Sequence, residues 1–346
     1  VMYVQSSREV PFIRDLVAIM SVIARSSGRV AVARLASSSI RAHERSRHVL
    51  RRKIHSTSLQ FLPHSHRVLP GRGPRGGSLL DVAGSPIIQS VSSDFRPRRI
   101  ILVRHGESQG NIDDNAYVDT PDWKVSLTDR GHQQASAAGK QLKELIGDSG
   151  RVFFYYSPYK RTTQTLENMS QHLDDEQIVS VREEPRMSEQ QFGNFQNVEQ
   201  VLNCKEERHS FGRFYYRFPS GEAGLDVYSR VSSFITTLVR DCHQYSHAGQ
   251  DLDTMNVVIV THGLALRLFL MRWFQFSVEE FDNSTNPGNA QLITMLKHVG
   301  KNGHKWYELD PADRDSLNLP AECGVPKNVH LHKLTRSATC DEPIDG

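Results

Sequence analysis

Arg99-Ile100-Ile101-Leu102-Val103-Arg104-His105-Gly106-Glu107-Ser108 decides the reading of this chain. Its first half is short, apolar and β-branched, the pattern of a buried strand. Its second half places a cation, an imidazole and a glycine where that strand must end. Ligands of α/β proteins collect at the carboxyl ends of parallel strands, so His105 is expected to point into a cleft. Arg104 stands beside it, and a guanidinium fork matches the oxygens of a phosphate. Gly106 lets the backbone approach a ligand closely. A neutral imidazole next to a bound phosphoryl group is a potential nucleophile. One histidine at a strand end is an ordinary loop residue, so the argument rests on what accompanies it.

The pattern recurs downstream. Val257-Val258-Ile259-Val260 is the strongest strand of the chain, and it ends in Thr261-His262-Gly263 before an apolar helix from Leu264 to Phe274. Between the two strings, Thr128 fits the N-cap of a helix whose apolar face is Ala135, Ala138, Leu142, Leu145 and Ile146. Val152 to Tyr156 reads as a strand running into Ser157-Pro158. Arg161 then falls in the first turn of the next helix, near the positive end of its dipole. A third strand, Ile178 to Arg182, precedes Glu183, Glu184, Arg186 and Glu189. Glu189 stands out because Phe192-Gly193-Asn194-Phe195 follows it. An aromatic wall over a carboxyl raises its pKa, as a general acid requires. Residues 196–218 read as a helical insert capping the site; its cations Lys205, Arg208, Arg213 and Arg217 have no assigned face. A last strand is expected over Gln291 to Leu296.

Net charge is +3, but residues 1–99 carry 17 Lys and Arg against 5 Asp and Glu, and residues 100–346 carry 25 against 34. We therefore divide the chain into a basic leader or linker over 1–98, a folded domain over 99–300 and a polar C-terminal extension over 301–346. The leader is rich in Arg and Ser and poor in acids, the composition of an organelle transit peptide, with a processing neighbourhood at Arg51 to Ser58. That reading places the protein in a mitochondrion or chloroplast, and otherwise in the cytoplasm. A disordered tail and a nucleic-acid arm compete with it, though the tract has no aromatic stacking platform. No run of about 18 apolar residues exists, so no membrane span is expected. Cys204, Cys242, Cys323 and Cys340 are scattered, and His330-Leu331-His332 reads as solvated tail, so no metal site and no cofactor are expected.

Arg104, His105, Arg161, Glu189 and His262 form one candidate constellation. Phosphoryl transfer needs alignment and neutralisation of charge more than covalent help. His105 would attack phosphorus, Glu189 would protonate the leaving alkoxide and then activate water, and the two arginines with His262 would hold the oxygens. Asn111 and the Gly263 backbone N–H would add hydrogen bonds, and no metal is required where arginines supply the charge.

The strings Arg104-His105-Gly106-Glu107-Ser108 with Asn111, Leu127-Thr128 through Gln134-Ala135, Ser157-Pro158 through Arg161-Thr162, Arg186 through Gly193, and Thr261-His262-Gly263 resemble, in order, the motifs of the histidine phosphatase superfamily, or phosphoglycerate mutase-like family. Within it, Glu189 to Gln196 and Phe214 to Pro219 look closest to the plant and fungal phosphoglycerate mutase-like proteins. The resemblance implies a three-layer α/β sandwich with a mostly parallel sheet, a phosphohistidine intermediate and a small phosphorylated metabolite as substrate. It also brings in Ser108 as a substrate-binding residue. One departure is Pro219-Ser220-Gly221-Glu222-Ala223, where the family has serine last; the missing hydroxyl is expected to alter substrate contacts. A phosphatase is the first reading. A phosphoglycerate mutase, or a phospho-ligand scaffold with little turnover, stays open.

Overall fold

Strand β1, Arg99–Arg104, is the inner strand on which the sheet is assembled. Its β-branched and leucine side chains alternate between two apolar layers, which is how a fully covered strand reads. Ile100 and Leu102 enter one core and Ile101 and Val103 the other. The computed structural model describes residues 95–193 and 198–320. Nearly all of the basic leader, the processing neighbourhood, Cys323, Cys340 and His330-Leu331-His332 lie outside those residues.

From β1 the chain passes through the one-turn helices Gln109–Ile112 and Ala116–Asp119 into α1, Asp129–Ile146, then β2, Arg151–Tyr156, and α2, Lys160–Ser170. It continues through β3, Ile178–Glu183, the insert helix α3, Val198–Phe211, and α4, Gly224–His247. Strand β4, Met255–Thr261, leads into α5, Gly263–Phe274, and α6, Val278–Asn283. Strands β5, Leu292–Val299, and β6, Lys305–Leu309, and helix α7, Pro311–Ser316, complete it. The six strands form one sheet in the order β3-β2-β4-β1-β5-β6. The first four are mutually parallel, and β5 and β6 are antiparallel additions. Helices α1 and α2 cover one face and α4 and α5 the other, giving the expected three layers.

Helix α1 starts where Thr128 Oγ1 accepts a hydrogen bond from Gly131 N at 3.0 Å, and it stops at Gly147, with φ of 66°. Leu145, placed on its buried face by periodicity, is exposed instead. The polar reading of the chain beyond residue 300 also misses a feature. Met295↔Leu309 to Val299↔Lys305 pair as a hairpin, so the sheet continues past that boundary.

Ala223 has a structural position of its own. It occupies the N-cap of α4, with no side-chain cap, and its N–H donates to Asp226 Oδ2 at 2.8 Å. A serine here would accept from the first turn of the helix, so the missing hydroxyl is a missing cap. Ala223→Ser should therefore raise stability by about 1 kcal/mol. Melting is expected to move up by about 2–4 °C, and an unchanged or lower midpoint would refute the assignment.

Candidate active site

Parallel pairing places the two His-Gly strings side by side. Arg104 is in register with Thr261, and His105 N donates to Thr261 O at 2.9 Å. The next residue on each strand is therefore a histidine, and the His105 and His262 rings meet edge-on with centroids 5.3 Å apart. Strand β2 lies on the other side of β4. Its extension brings Ser157 Oγ within 2.8 Å of His262 Nε2, and α2 delivers Arg161.

His105 is held in one tautomer. Its Nδ1 lies 2.7 Å from the carbonyl oxygen of Gly106. A carbonyl only accepts, so Nδ1 carries the proton and Nε2 is left with a free lone pair. Burial, reinforced by the nearby charges of Arg161 and Arg104, holds its pKa well below the ordinary imidazole value. His262 is shifted the same way by burial and Arg161. Both rings are therefore neutral at neutral pH.

The loop after His105 is clamped by Thr128 and Gln134 of the second motif and by Thr165 of α2. Gly106 N donates to Thr165 Oγ1 at 3.0 Å, Glu107 N to Gln134 Oε1 at 2.8 Å and Thr128 N to Glu107 O at 2.9 Å. Gly106 is obligatory here, because a Cβ would sit 2.5 Å from Gly131 O. Ser108 is buried, and its Oγ donates to Asn111 Oδ1 at 3.2 Å. The structure thus engages both proposed binders locally. Gly263 opens α5 directly after His262, where helix N–H groups are free for an anion.

Arg104 donates through Nη1 to Pro287 O at 2.8 Å, while its buried Nε has no partner. His262 Nδ1 is a second buried atom without a partner. Orphan buried polar atoms need an explanation, and a bound phosphoryl group supplies one. Arg161 is 2% exposed and donates to Asp122 O at 2.8 Å and Asp122 Oδ1 at 2.7 Å. Sequence reasoning missed Asp122, which opens the short 3-10 turn Asp122–Lys124. Asp122→Ala strands a buried guanidinium charge. Because Asp122 itself is partly exposed, the expected loss is roughly 2 kcal/mol of stability, read in denaturant melts, and no loss would mean that Arg161 finds another partner.

Glu189 lies on a loop fastened from behind. Arg230 of α4 donates to the carbonyls of Arg186 at 2.6 Å, Ser188 at 2.8 Å and Glu189 at 2.9 Å, and pairs with Glu222 at 3.0 Å. Glu222 in turn accepts from Gln191 N at 3.0 Å. Glu189 Oε1 accepts from Gln190 N at 2.9 Å. Burial raises the Glu189 pKa against the opposing pull of that hydrogen bond, Arg161 and Arg104. The neighbouring carboxylates are engaged elsewhere. Glu184 is buried in a two-point pair with Arg186, at 2.7 Å on each arm, and Glu183 accepts from Tyr156 Oη at 3.4 Å. Phe192 meets Phe218 edge-on at 4.9 Å, forming part of the expected aromatic wall; Phe195 lies outside the described residues.

Three more contributors had no signal beyond loop composition. Tyr117 feels the charges of Arg161, Asp122 and Glu189, and burial pushes its phenol up to about 12. Asn289 Nδ2 donates to His105 O at 3.1 Å, and Ala290 N donates to Arg104 O at 3.0 Å. Among the described residues no three His, Cys, Asp or Glu side chains converge as a metal site, and no helix is long and apolar enough to cross a membrane.

The site thus gathers a buried neutral imidazole near two guanidiniums, a second imidazole edge-on to it and a carboxyl of raised pKa. The profile of the histidine phosphatase superfamily (branch 1) matches residues 100–306. The chain belongs to that superfamily. It is 44% identical over 230 residues to the phosphoglycerate mutase-like protein AT74H of Arabidopsis thaliana, covering 64% of this chain and 81% of that one. It is 29% identical over 306 residues to the broad-range acid phosphatase DET1 of Saccharomyces cerevisiae, covering 62% and 89%. Among solved structures, a mycobacterial glucosyl-3-phosphoglycerate phosphatase aligns with a TM-score of 0.48 and 21% identity, over 62% of this chain and 97% of that one.

Proposed function

We propose that the protein hydrolyses small phosphomonoesters through a phosphohistidine on His105. The observation that carries this is the Nδ1–H to Gly106 carbonyl bond, which leaves Nε2 as an unprotonated nucleophile among cations. Nε2 forms the bond to phosphorus as the phosphorus–alkoxide bond breaks. Glu189, whose pKa burial raises, gives its proton to the leaving oxygen. Water then attacks phosphorus, Glu189 takes a proton back, and the nitrogen–phosphorus bond breaks to release phosphate. Arg104, Arg161 and His262 hold the phosphoryl oxygens, and His262 is oriented by Ser157 Oγ at 2.8 Å. The arginines supply the charge neutralisation that a metal supplies elsewhere.

The test is phosphate release by the full chain across a panel of phosphomonoesters, with acid-labile phosphoenzyme trapped by rapid quench. Release together with a trapped intermediate supports the reading. Exchange between 3- and 2-phosphoglycerate without release would identify a mutase, and binding without either would identify a scaffold.

A further inference from the structure

The backbone that carries Glu189 has its carbonyls tied off one after another. Thr261 Oγ1, at the end of β4, donates to Met187 O at 2.6 Å. Arg230 of α4 takes the carbonyls on either side, those of Arg186, Ser188 and Glu189. The same guanidinium donates through Nε to Glu222 Oε1 and through Nη2 to Glu222 Oε2, both at 3.0 Å. Each of the five N–H donors of an arginine therefore has its acceptor, and the fork is locked in place. Glu222 closes the same loop from the other side. Its N–H donates to Gln191 O at 2.7 Å, its Oε2 accepts from Gln191 N at 3.0 Å, and its carbonyl accepts from Gln190 Nε2 at 2.7 Å. The two segments lie so close that a Cβ on Gly221 would collide with Gln191 O.

None of these bonds touches the Glu189 carboxyl. Its Oε1 accepts from Gln190 N at 2.9 Å, so in the acid form the transferable proton sits on Oε2. Proton transfer needs that oxygen within hydrogen-bond reach of the leaving oxygen, and a misplacement of about 1 Å costs about 100-fold in rate. We propose that Arg230, locked by Glu222, is a positioning residue for the acid: it fixes the backbone from Arg186 to Glu189 and thereby sets where Oε2 can reach. This rests on the assignment of Glu189 as the acid. The guanidiniums that pull the Glu189 pKa down are those of Arg161 and Arg104, with Asp122 opposing them, so the part played by Arg230 is geometric.

The test compares glycerol 3-phosphate, whose alkoxide needs a proton, with p-nitrophenyl phosphate, whose leaving group does not, on the full chain. Arg230→Gln should lower kcat on glycerol 3-phosphate by about 100-fold with little change in KM. On p-nitrophenyl phosphate it should show a burst of p-nitrophenol near one equivalent, because the first step needs no acid while water attack lacks a well-placed base. The basic limb of kcat/KM on glycerol 3-phosphate should lose height and keep its pH. Arg230→Lys, with fewer donors for the same carbonyls, should recover part of the loss. Gly221→Ala pushes on the same loop without removing a charge and should split the two esters in the same way, which keeps the proposal open to refutation if Arg230→Gln does not fold. An equal loss on both esters without a burst, in whichever of these variants fold, would make the clamp merely structural and overturn the proposal. A basic limb that moves in pH would do the same, since Arg230 would then act by charge. Glu189→Gln is the control. A burst there and in none of the clamp variants overturns the proposal alone. No burst there removes the acid assignment, and no hydrolysis by the wild type removes the phosphatase reading; the proposal falls with either.

Discussion

His105→Ala should lower phosphate release by about 10⁴-fold or more and abolish the trapped phosphoenzyme, because removing a covalent nucleophile eliminates the pathway rather than slowing one step. The fold should survive. Among the described residues the one side-chain hydrogen bond of His105 runs to the neighbouring Gly106 carbonyl, and the loop keeps its ties through Thr165, Gln134 and Thr128. His262 is the rival, since its Nδ1 is buried without a partner. The parallel variant His262→Ala should weaken turnover but still allow phosphohistidine to form. Wild-type turnover in His105→Ala would move the nucleophile to His262. The pH dependence adds a second check. The His105 pKa is lowered well below the ordinary imidazole value, so the nucleophile stays neutral as pH falls through that value. The acid limb of kcat/KM should therefore lie well below pH 6.5, the ordinary imidazole value.

The strand-His-Gly strings were legible because both halves obey local rules. A β-branched run forms a buried strand, and the residues that follow must sit at its end. Their adjacency came from register, which pairs Arg104 with Thr261. Arg161 was legible for a related reason, since the first turn of a helix after a strand faces the same end of the sheet. Asp122, Tyr117 and Asn289 were not, because each reaches the site from a single helical turn or a loop whose course depends on tertiary contacts. Arg230 and Glu222 were hidden differently. Arg230 reads as an ordinary charge on an amphipathic helix, yet it donates to three carbonyls of the Glu189 loop. Strand β6 escaped because Lys305-Trp306-Tyr307-Glu308-Leu309 is short, half polar and preceded by glycines, so it resembles a tail until β5 pairs with it. The insert's cations could not be sorted, because only the partners Asp114 and Asp226 distinguish Lys205 and Arg217 from Arg208 and Arg213.

Glu189→Gln should separate the two chemical steps. On alkyl phosphates kcat is expected to fall by about 10²- to 10⁴-fold, the range for loss of a general acid–base. On p-nitrophenyl phosphate the leaving group needs no proton, so the first step survives while water attack still lacks its base. That variant should therefore release a burst of p-nitrophenol near one equivalent and accumulate phosphohistidine. The pH profile gives the sign. Glu189 acts first as an acid, so kcat/KM on alkyl esters falls as pH rises through its pKa. Burial raises that pKa above the usual carboxylate value, which moves the basic limb upward and widens the acidic working range. In Glu189→Gln the limb should vanish. Tyr117 is the competing proton donor, with its phenol held up at about 12. A phenol acting as the acid would leave kcat/KM flat until that region, and Tyr117→Phe would then reproduce the alkyl-phosphate defect. A limb that persists in Glu189→Gln, without a burst, would remove Glu189 from the chemistry and leave it a neighbour of the phosphoryl site.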